Sequence, residues 1–337
     1  MTRAFIAEYF DYAKKHGNDL ALGFLQDKKA HWIPHWLIRS KAKHFALGLL
    51  DLETPEEGYF YLLPHFHPEW IYSLAAAQSL GLAVLPIPSG LETADLDHLM
   101  EKYPPSFVYG DHYPSETQWK AFKKAKTFKR FILGGSDHES TVEEFSTFRI
   151  IHNRGIMAES KYFLQYRERR ESLTAQQLLS PIQVDAFRKI NEHGLRCTQL
   201  QERFQTLEKH LHEKKLTQLF AKVDLSQTLD QIIALYWPLQ TGKRVLLVQG
   251  DGHWLGTHPM FHPQIAFLST EGVSNLAGAL ALGKAPLLKE SLSFWTRRRA
   301  KKKLGGNLQE IWSTEPLGEE AQSLFGKLGI RLWAVEV

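Results

Sequence analysis

The sequence predicts an α/β fold in which short parallel strands are covered by helices. Two observations carry that expectation. Short apolar runs alternate with helical stretches up to residue 135 and again after Pro238, the rhythm of a parallel sheet covered on both faces. The chain has 337 residues, 43% hydrophobic and 23% charged, an ordinary globular composition at a length that suggests about two domains or subdomains.

The elements follow in order. Residues 3–16 predict an amphipathic helix, with Phe5, Ile6, Tyr9, Phe10 and Ala13 at helical spacing. Residues 20–33 predict a hairpin with Gln26-Asp27-Lys28-Lys29 at its tip. Residues 34–50 predict a helix with Trp36, Leu37, Ala42, Phe45, Leu49 and Leu50 toward the core. Strand 59–63 follows the turn at Gly58. A helix from Pro68 is stopped by Gly81, and strand 83–88, helix 92–102, strand 106–110 and strand 129–133 come next. Residues 140–175 are polar and less regular. Residues 184–222 are charge-rich and predict helix. Strands 244–249 and 264–268, a helix from 273, strand 308–312, helix 317–328 and strand 330–335 complete the chain.

Charge narrows the classes. Forty-one Lys and Arg against 37 Asp and Glu leave +4 with histidine neutral, which permits an anionic partner without demanding one. The single cysteine, Cys197, rules out an intramolecular disulfide and fits a reducing compartment. The first residues, MTRAFIAEYFDYAKKHG, lack the apolar core of a secretory signal. No run of about twenty apolar residues suggests a membrane span. A cytoplasmic location is therefore expected.

The block 36–111 carries a resemblance. Leu63-Pro64 ends an apolar strand, Pro68-Glu69-Trp70 opens a helix, Ala75-Ala76-Ala77 lies within it, and Val84-Leu85-Pro86 forms the next strand. These features resemble the front of acyl-adenylate-forming enzymes, especially long-chain fatty acyl-CoA ligases. Further matches fall in order at 223–242, 244–251, 263–273 and 302–333. The resemblance implies two packed, mostly parallel α/β/α subdomains, as in the large N-terminal domain of those enzymes. One would span roughly 55–200, and the other roughly 1–54 plus 201–337, with the C-terminal domain absent.

The family joins a carboxylate to AMP with ATP and magnesium, then passes the acyl group to a thiol. The ATP phosphates need a Ser/Thr/Gly loop with a Lys, because glycine lets backbone N–H groups approach closely and lysine offsets charge. Counting back from His193 places this loop at 180–188. The residues there are Ser180-Pro181-Ile182-Gln183-Val184-Asp185-Ala186-Phe187-Arg188. No glycine is present, Phe187 stands in place of the Lys, and Asp185 would repel phosphate. The segment predicts a helix start instead, with Ser180 as N-cap and Pro181 at the first position. The family's Ser-His-x-x-Gly appears as Ser226-Gln227-Thr228-Leu229-Asp230, its Pro-Arg-Val as Glu271-Gly272-Val273, and its adenine-contacting Gly-Gly within Ser313-Thr314-Glu315. Val337 falls about where the Tyr-Gly-x-Thr-Glu motif would begin. By the resemblance, the magnesium-binding Glu, the ribose-binding Asp and the mobile domain with its Lys are all expected to be missing.

Other clusters read more simply. Gly278 to Lys284 has the spacing of a phosphate-binding P-loop, but Ala285 replaces the required Ser/Thr and the run reads as an apolar helix end. His253, His258 and His262, with Asp251, lie in a Gly/Pro-rich loop at spacings that fit no zinc pattern. His65 and His67 stand at a strand end, where α/β sheets favour ligands, although a satisfied rim histidine is the plainer reading. Cys197 with His193 one turn earlier on a helix suggests a nucleophilic pair, against the commoner packed helix cysteine. The strongest charge feature is Arg297, Arg298, Arg299, Lys301, Lys302 and Lys303. On a helix these charges spread around the circumference as a solvated surface. Their functional reading is contact with an anionic surface: lipid headgroups, nucleic acid or an acidic carrier protein.

No catalytic, cofactor-binding or metal-ligating residue is assigned, and no cofactor is expected. The leading expectation is a degenerate acyl-CoA-synthetase-like protein that does not adenylate and has a binding or regulatory role. One alternative is a fatty acid–CoA or carrier-protein ligase completed by a partner chain. Another is a basic peripheral adaptor for an anionic surface. Expected partners are another protein chain or an acyl carrier; peripheral membrane contact is compatible with the charge, and nucleic acid is not expected.

Overall fold

The computed structural model describes residues 3–26, 29–135, 144–185, 188–211, 218–222, 224–248, 262–281, 294–313 and 317–335. The chain divides into two compact units. Residues 1–19, 34–203 and 225–228 form the first, and 20–33, 204–224 and 229–337 form the second. Both are α/β with mostly parallel sheets, as the strand–helix rhythm predicts.

The first unit opens with helix α1 (Phe5–Lys15), which buries Phe5, Ile6, Tyr9, Phe10 and Ala13, the five positions its spacing singles out. The chain then enters the second unit as strands β1 (Leu20–Gln26) and β2 (Lys29–Pro34) and returns as helix α2 (His35–Leu50). Ala42, Phe45, Leu49 and Leu50 of α2 are buried, but Trp36 is 49% exposed, against expectation. Its neighbour His35 takes the inward position, its ring set against Tyr9 and Tyr12.

Strand β3 (Tyr59–Leu62), helix α3 (Pro68–Ser79), β4 (Ala83–Pro86), helix α4 (Thr93–Lys102), β5 (Pro105–Gly110), helix α5 (Glu116–Lys124), β6 (Arg130–Leu133) and β7 (Phe145–Thr147) follow. They build a five-stranded sheet in the order β4-β3-β5-β6-β7, with every ladder parallel. One face is covered by a core that includes Tyr61, Leu85, Leu96, Val108, Phe122 and Phe131.

Residues 148–172, expected to be irregular, are two helices: α6 (Phe148–Met157), capped by the Thr147 hydroxyl, and α7 (Glu159–Ser172). In α7 only Tyr166 is buried, so the helix carries almost no apolar periodicity to read. Helix α6 packs on α2 at backbone distance. A Cβ on Gly155 would lie 1.7 Å from the His44 carbonyl oxygen, and one on Gly48 would lie 1.9 Å from that of Ile151.

Helix α8 (Cys197–Leu211) leads into the second unit. There follow β12 (Gln218–Lys222), α9 (Thr228–Gln231), a π-helical turn (Ile232–Tyr236), α10 (Trp237–Thr241), β13 (Arg244–Val248), β14 (Ile265–Leu268), α11 (Thr270–Ala281), α12 (Phe294–Lys303), β15 (Glu310–Ser313), α13 (Glu319–Leu328) and β16 (Arg331–Ala334). The sheet order is β16-β15-β14-β12-β13-β1-β2. β1 runs parallel to β13, and β12 to both β13 and β14. Phe220, Leu246, Ala266, Ile311 and Phe325 lie in one core on this sheet.

Two expectations are corrected. Of residues 1–54, only 20–33 belong to the second unit, because β1 pairs with β13, whereas α1 and α2 pack on α3 and α6. The predicted helix over 184–222 is confined to Cys197–Leu211. Before it lie three short strands, Gln183–Val184, Ile190–Asn191 and Leu195–Arg196, and Gln218–Lys222 is a strand paired on both edges.

Candidate functional site

In the stretch where the resemblance would put a phosphate loop, the described residues form a hairpin, not the helix start that Ser180-Pro181 predicts. Strand β8 (Leu178–Ser180) pairs antiparallel with β11 (Leu195–Arg196), and within that ladder β9 (Gln183–Val184) pairs with β10 (Ile190–Asn191). The Ser180 hydroxyl does not cap a helix. It donates to the Ile182 carbonyl at 2.7 Å and accepts from the Ile182 N–H at 3.3 Å. The physical reason is burial: Ile182 is fully buried and Val184 2% exposed in the core of the first sheet. An extended strand can direct both inward, since residues i and i+2 share a face.

The hairpin is fastened from several sides. The Val184 N–H donates to Thr228 Oγ1 at 2.8 Å. Gln183 donates to the His193 carbonyl and accepts from Arg203. Glu192 accepts from His98 at 3.0 Å, from Tyr103 at 3.3 Å and from Lys102. Hydrogen bonds from Lys102 and then His98 hold the Glu192 carboxyl down at about 2. Asp185 closes the turn by accepting the Lys189 N–H at 2.9 Å, and Arg188 takes a positive φ of 62°. These contacts consume backbone and side-chain groups that a phosphate cradle would need to point outward.

The motif Ser226-Gln227-Thr228-Leu229-Asp230 is likewise structural. Ser226, Thr228 and Asp230 are buried. Thr228 serves the hairpin, and within the second unit the Asp230 carboxylate accepts the Asp224 N–H at 2.6 Å. Burial, despite that hydrogen bond, pushes the Asp230 carboxyl up to about 8.

A second cluster forms at the carboxyl ends of the first sheet's strands. His65 Nδ1 lies 3.3 Å from Asp111 Oδ2, His67 Nδ1 lies 3.7 Å from Glu69 Oε2, and Glu69 accepts the Gly135 N–H at 2.7 Å. His65 and His67 stack at 5.3 Å. Burial lowers the His65 imidazole below its ordinary value, with Asp111 pulling the other way. A neutral ring with Nδ1–H directed at Asp111 presents Nε2 as its lone pair, yet that atom is buried without a partner. Tyr109 lies beneath Gly134, where a Cβ would meet its hydroxyl at 1.9 Å. Burial, then the Glu69 charge, raises that hydroxyl well above the ordinary tyrosine range. The sequence singles out His65 and His67 but not Asp111, which follows the end of β5, or Glu69, which lies in the first turn of α3. With the His65 Nε2 buried, the cluster joins the ends of β3, β5 and β6, and His67 and Asp111 are its partly exposed members.

The remaining candidates separate. Cys197 begins α8, whereas His193 precedes β11 off the helix, so the two do not form a one-turn pair. The buried thiol faces Gln177 at 4.0 Å, and burial pushes it up to about 11, which removes thiolate character. His262 Nδ1 donates to the Gly305 carbonyl at 2.6 Å. Asp251, His253 and His258 lie outside the described residues, as do 282–284 of the P-loop-like run. Gly278 and Leu280 of that run sit within helix α11. Among the described residues no three His, Cys, Asp or Glu converge to hold a metal. Arg298, Arg299, Lys302 and Lys303 are exposed on α12 and Lys301 is half-buried, while Ala300 anchors the helix in the core. Arg297 precedes them on the same helix. Among the described residues no helix is long and apolar enough to cross a membrane.

No protein-family model and no curated protein matches the sequence. Solved structures do resemble it. Coronafacic acid ligase from Pectobacterium brasiliense superposes with a TM-score of 0.72 at 13% identity, over 98% of this chain and 59% of that one. An acyl-CoA synthetase from Brucella canis gives 0.71 at 14% identity, over 98% and 56%. A fatty acid AMP ligase from Legionella pneumophila gives 0.67 at 13% identity, over 97% and 53%. The chain thus spans less than two thirds of the length of each of these relatives. Identities this low carry the architecture alone, and with the two parallel-sheet units they show that the chain has the fold of the N-terminal part of acyl-adenylate-forming enzymes.

Proposed function

We propose that this chain is an acyl-CoA-synthetase-like protein that does not form acyl adenylates and acts by binding, its partner being another protein chain or an acyl carrier. The observation that supports this reading is the hairpin at 178–196. Ile182 and Val184 are built into the core, and the Val184 N–H is already bonded to Thr228. A loop that grips phosphate needs free N–H groups and glycine at close approach; here strand pairing and core packing occupy the segment. The unreactive buried thiol of Cys197 is compatible with the reducing cytoplasmic setting that we include in the proposal. Isothermal titration of the purified chain with ATP–Mg and a fatty acid is expected to show no saturable heat, and no acyl-AMP is expected to form. Micromolar ATP binding, or acyl-AMP made by the pure chain, would sink the reading.

A second reading has a specific observation behind it. Helix α12 presents Arg298, Arg299, Lys302 and Lys303 to solvent, which suits contact with an anionic surface. Neutralising these four is expected to weaken such contact and flatten its salt dependence. A further alternative is a ligase completed by a partner chain. It requires the partner to deliver phosphate contacts to a segment whose groups are already engaged.

A further inference from the structure

Six large apolar side chains stand exposed among the described residues, and four of them, Ile156, Met157, Phe163 and Leu164, fall within nine consecutive positions. They occupy the last turn of α6 and the first turns of α7, on either side of the bend at Ala158. Their exposures are 48%, 82%, 40% and 60%. Core packing does not explain them, since α6 buries Phe148, Ile151 and His152 and α7 buries Tyr166. The same two helices carry more cations than carboxylates, six Arg and Lys against Glu159, Glu168 and Glu171. Arg149, Arg154, Lys161 and Arg167 are exposed, with Arg154 and Lys161 also facing Asp51 at 2.8 Å and 4.0 Å. Glu159 is engaged by Lys43 at 2.6 Å and by His44 at 3.3 Å, and Glu168 and Glu171 are exposed.

We propose that the α6–α7 corner docks on an anionic lipid surface, with Ile156, Met157, Phe163 and Leu164 entering the headgroup layer and the surrounding cations pairing with lipid phosphates. Apolar side chains on a cationic background are the composition of an interfacial anchor, in which partial insertion and electrostatic attraction add. Area favours lipid over a protein partner. The four exposures amount to little more than two full side chains, roughly 400 Å² at the 150–250 Å² of a large apolar group. A stable protein interface needs about 800 Å² per partner, whereas a membrane anchor has no such threshold. The inference does not rest on the absence of nucleotide chemistry, nor on helix α12.

The test is flotation of the full chain with vesicles of phosphatidylcholine alone or with 30% phosphatidylserine. Binding is expected only to the anionic vesicles, and is expected to weaken with added salt. Met157→Glu/Leu164→Glu places two charges on side chains that contribute little to the core. It is expected to lower the bound fraction at least about tenfold with an unchanged melting temperature. Lys124→Gln/Lys126→Gln, at exposed positions at and just beyond the end of α5, is expected to leave binding intact. Three results would overturn the proposal: no binding to anionic vesicles, equal binding by the acidic double variant, or a lipid-free dimer that this variant dissociates. The last result would assign the patch to a second copy of the chain.

Discussion

Replacing Ile182 with alanine tests whether residues 178–196 are a core hairpin or a ligand loop. The side chain is fully buried, in one cluster with Tyr61, Leu85, Val108 and Phe131. The change removes three carbons, worth about 2.4 kcal/mol at roughly 0.8 kcal/mol per buried methylene. The neighbours are strand and helix residues that cannot collapse fully into the space, so a cavity term brings the total to about 3 kcal/mol, within the range for such truncations. For a unit of this size that corresponds to a melting temperature lower by about 6–12 °C. Calorimetry and denaturant titration of parent and variant read it directly. A loop held open for a ligand would behave as a surface site, with effects inside about 0.5 kcal/mol. A loss that small in Ile182→Ala would refute the hairpin argument. Saturating ATP–Mg supplies the complementary readout: a ligand at one hundred times its Kd stabilises by about 2.7 kcal/mol, and no such shift is expected here.

Two further predictions concern stability. Gly155→Ala sets a Cβ 1.7 Å from the His44 carbonyl oxygen and 2.7 Å from the Gly48 nitrogen, so α2 and α6 must separate. A loss of about 2–3 kcal/mol is expected in urea titration, whereas Gly278→Ala in α11, with nothing within 4 Å, is expected to gain up to about 1 kcal/mol from helix propensity. Equal effects of the two would show that backbone contact does not set the α2–α6 distance. His152, like His35, is buried and lowered to about 4, chiefly by burial. Between pH 6.5 and about 4.5 the unfolded chain takes up protons that these rings refuse, so their contribution is present above 6.5 and is lost as pH falls toward 4. Asp230, held near 8, works in the opposite sense across the same range, so the comparison of His152→Gln with the parent isolates the ring. The variant's melting temperature is expected to gain on the parent's as pH falls through this window, and a constant difference would exclude the role given to His152.

Local chain chemistry made the framework legible. β3, β4, β5 and β6 are short apolar runs between turns, and each is a buried parallel strand. A strand covered on both faces must be apolar throughout, so its composition alone reveals it. Helix α1 was readable for the converse reason, because one buried face imposes a helical period. The order of these elements also carried the resemblance that the solved structures bear out as a shared fold. The missing glycine at 180–188 is equally a property of the sequence.

The conformation of residues 178–196 was decided by tertiary structure. Ser180-Pro181 satisfies the local signature of a helix start, and nothing nearby contradicts it. The core of the first sheet outweighs that preference, because only an extended chain sends both Ile182 and Val184 into it while Thr228, more than forty positions away, accepts the Val184 N–H. Asp111 likewise reaches His65 because β3 and β5 are neighbours in the sheet, a pairing that no local pattern encodes. Sequence by itself determined the alternation of strands and helices and the lack of glycine at 180–188; long-range packing alone determined that this stretch holds a bonded hairpin, since burial free energy is shared among residues that only the folded chain brings together.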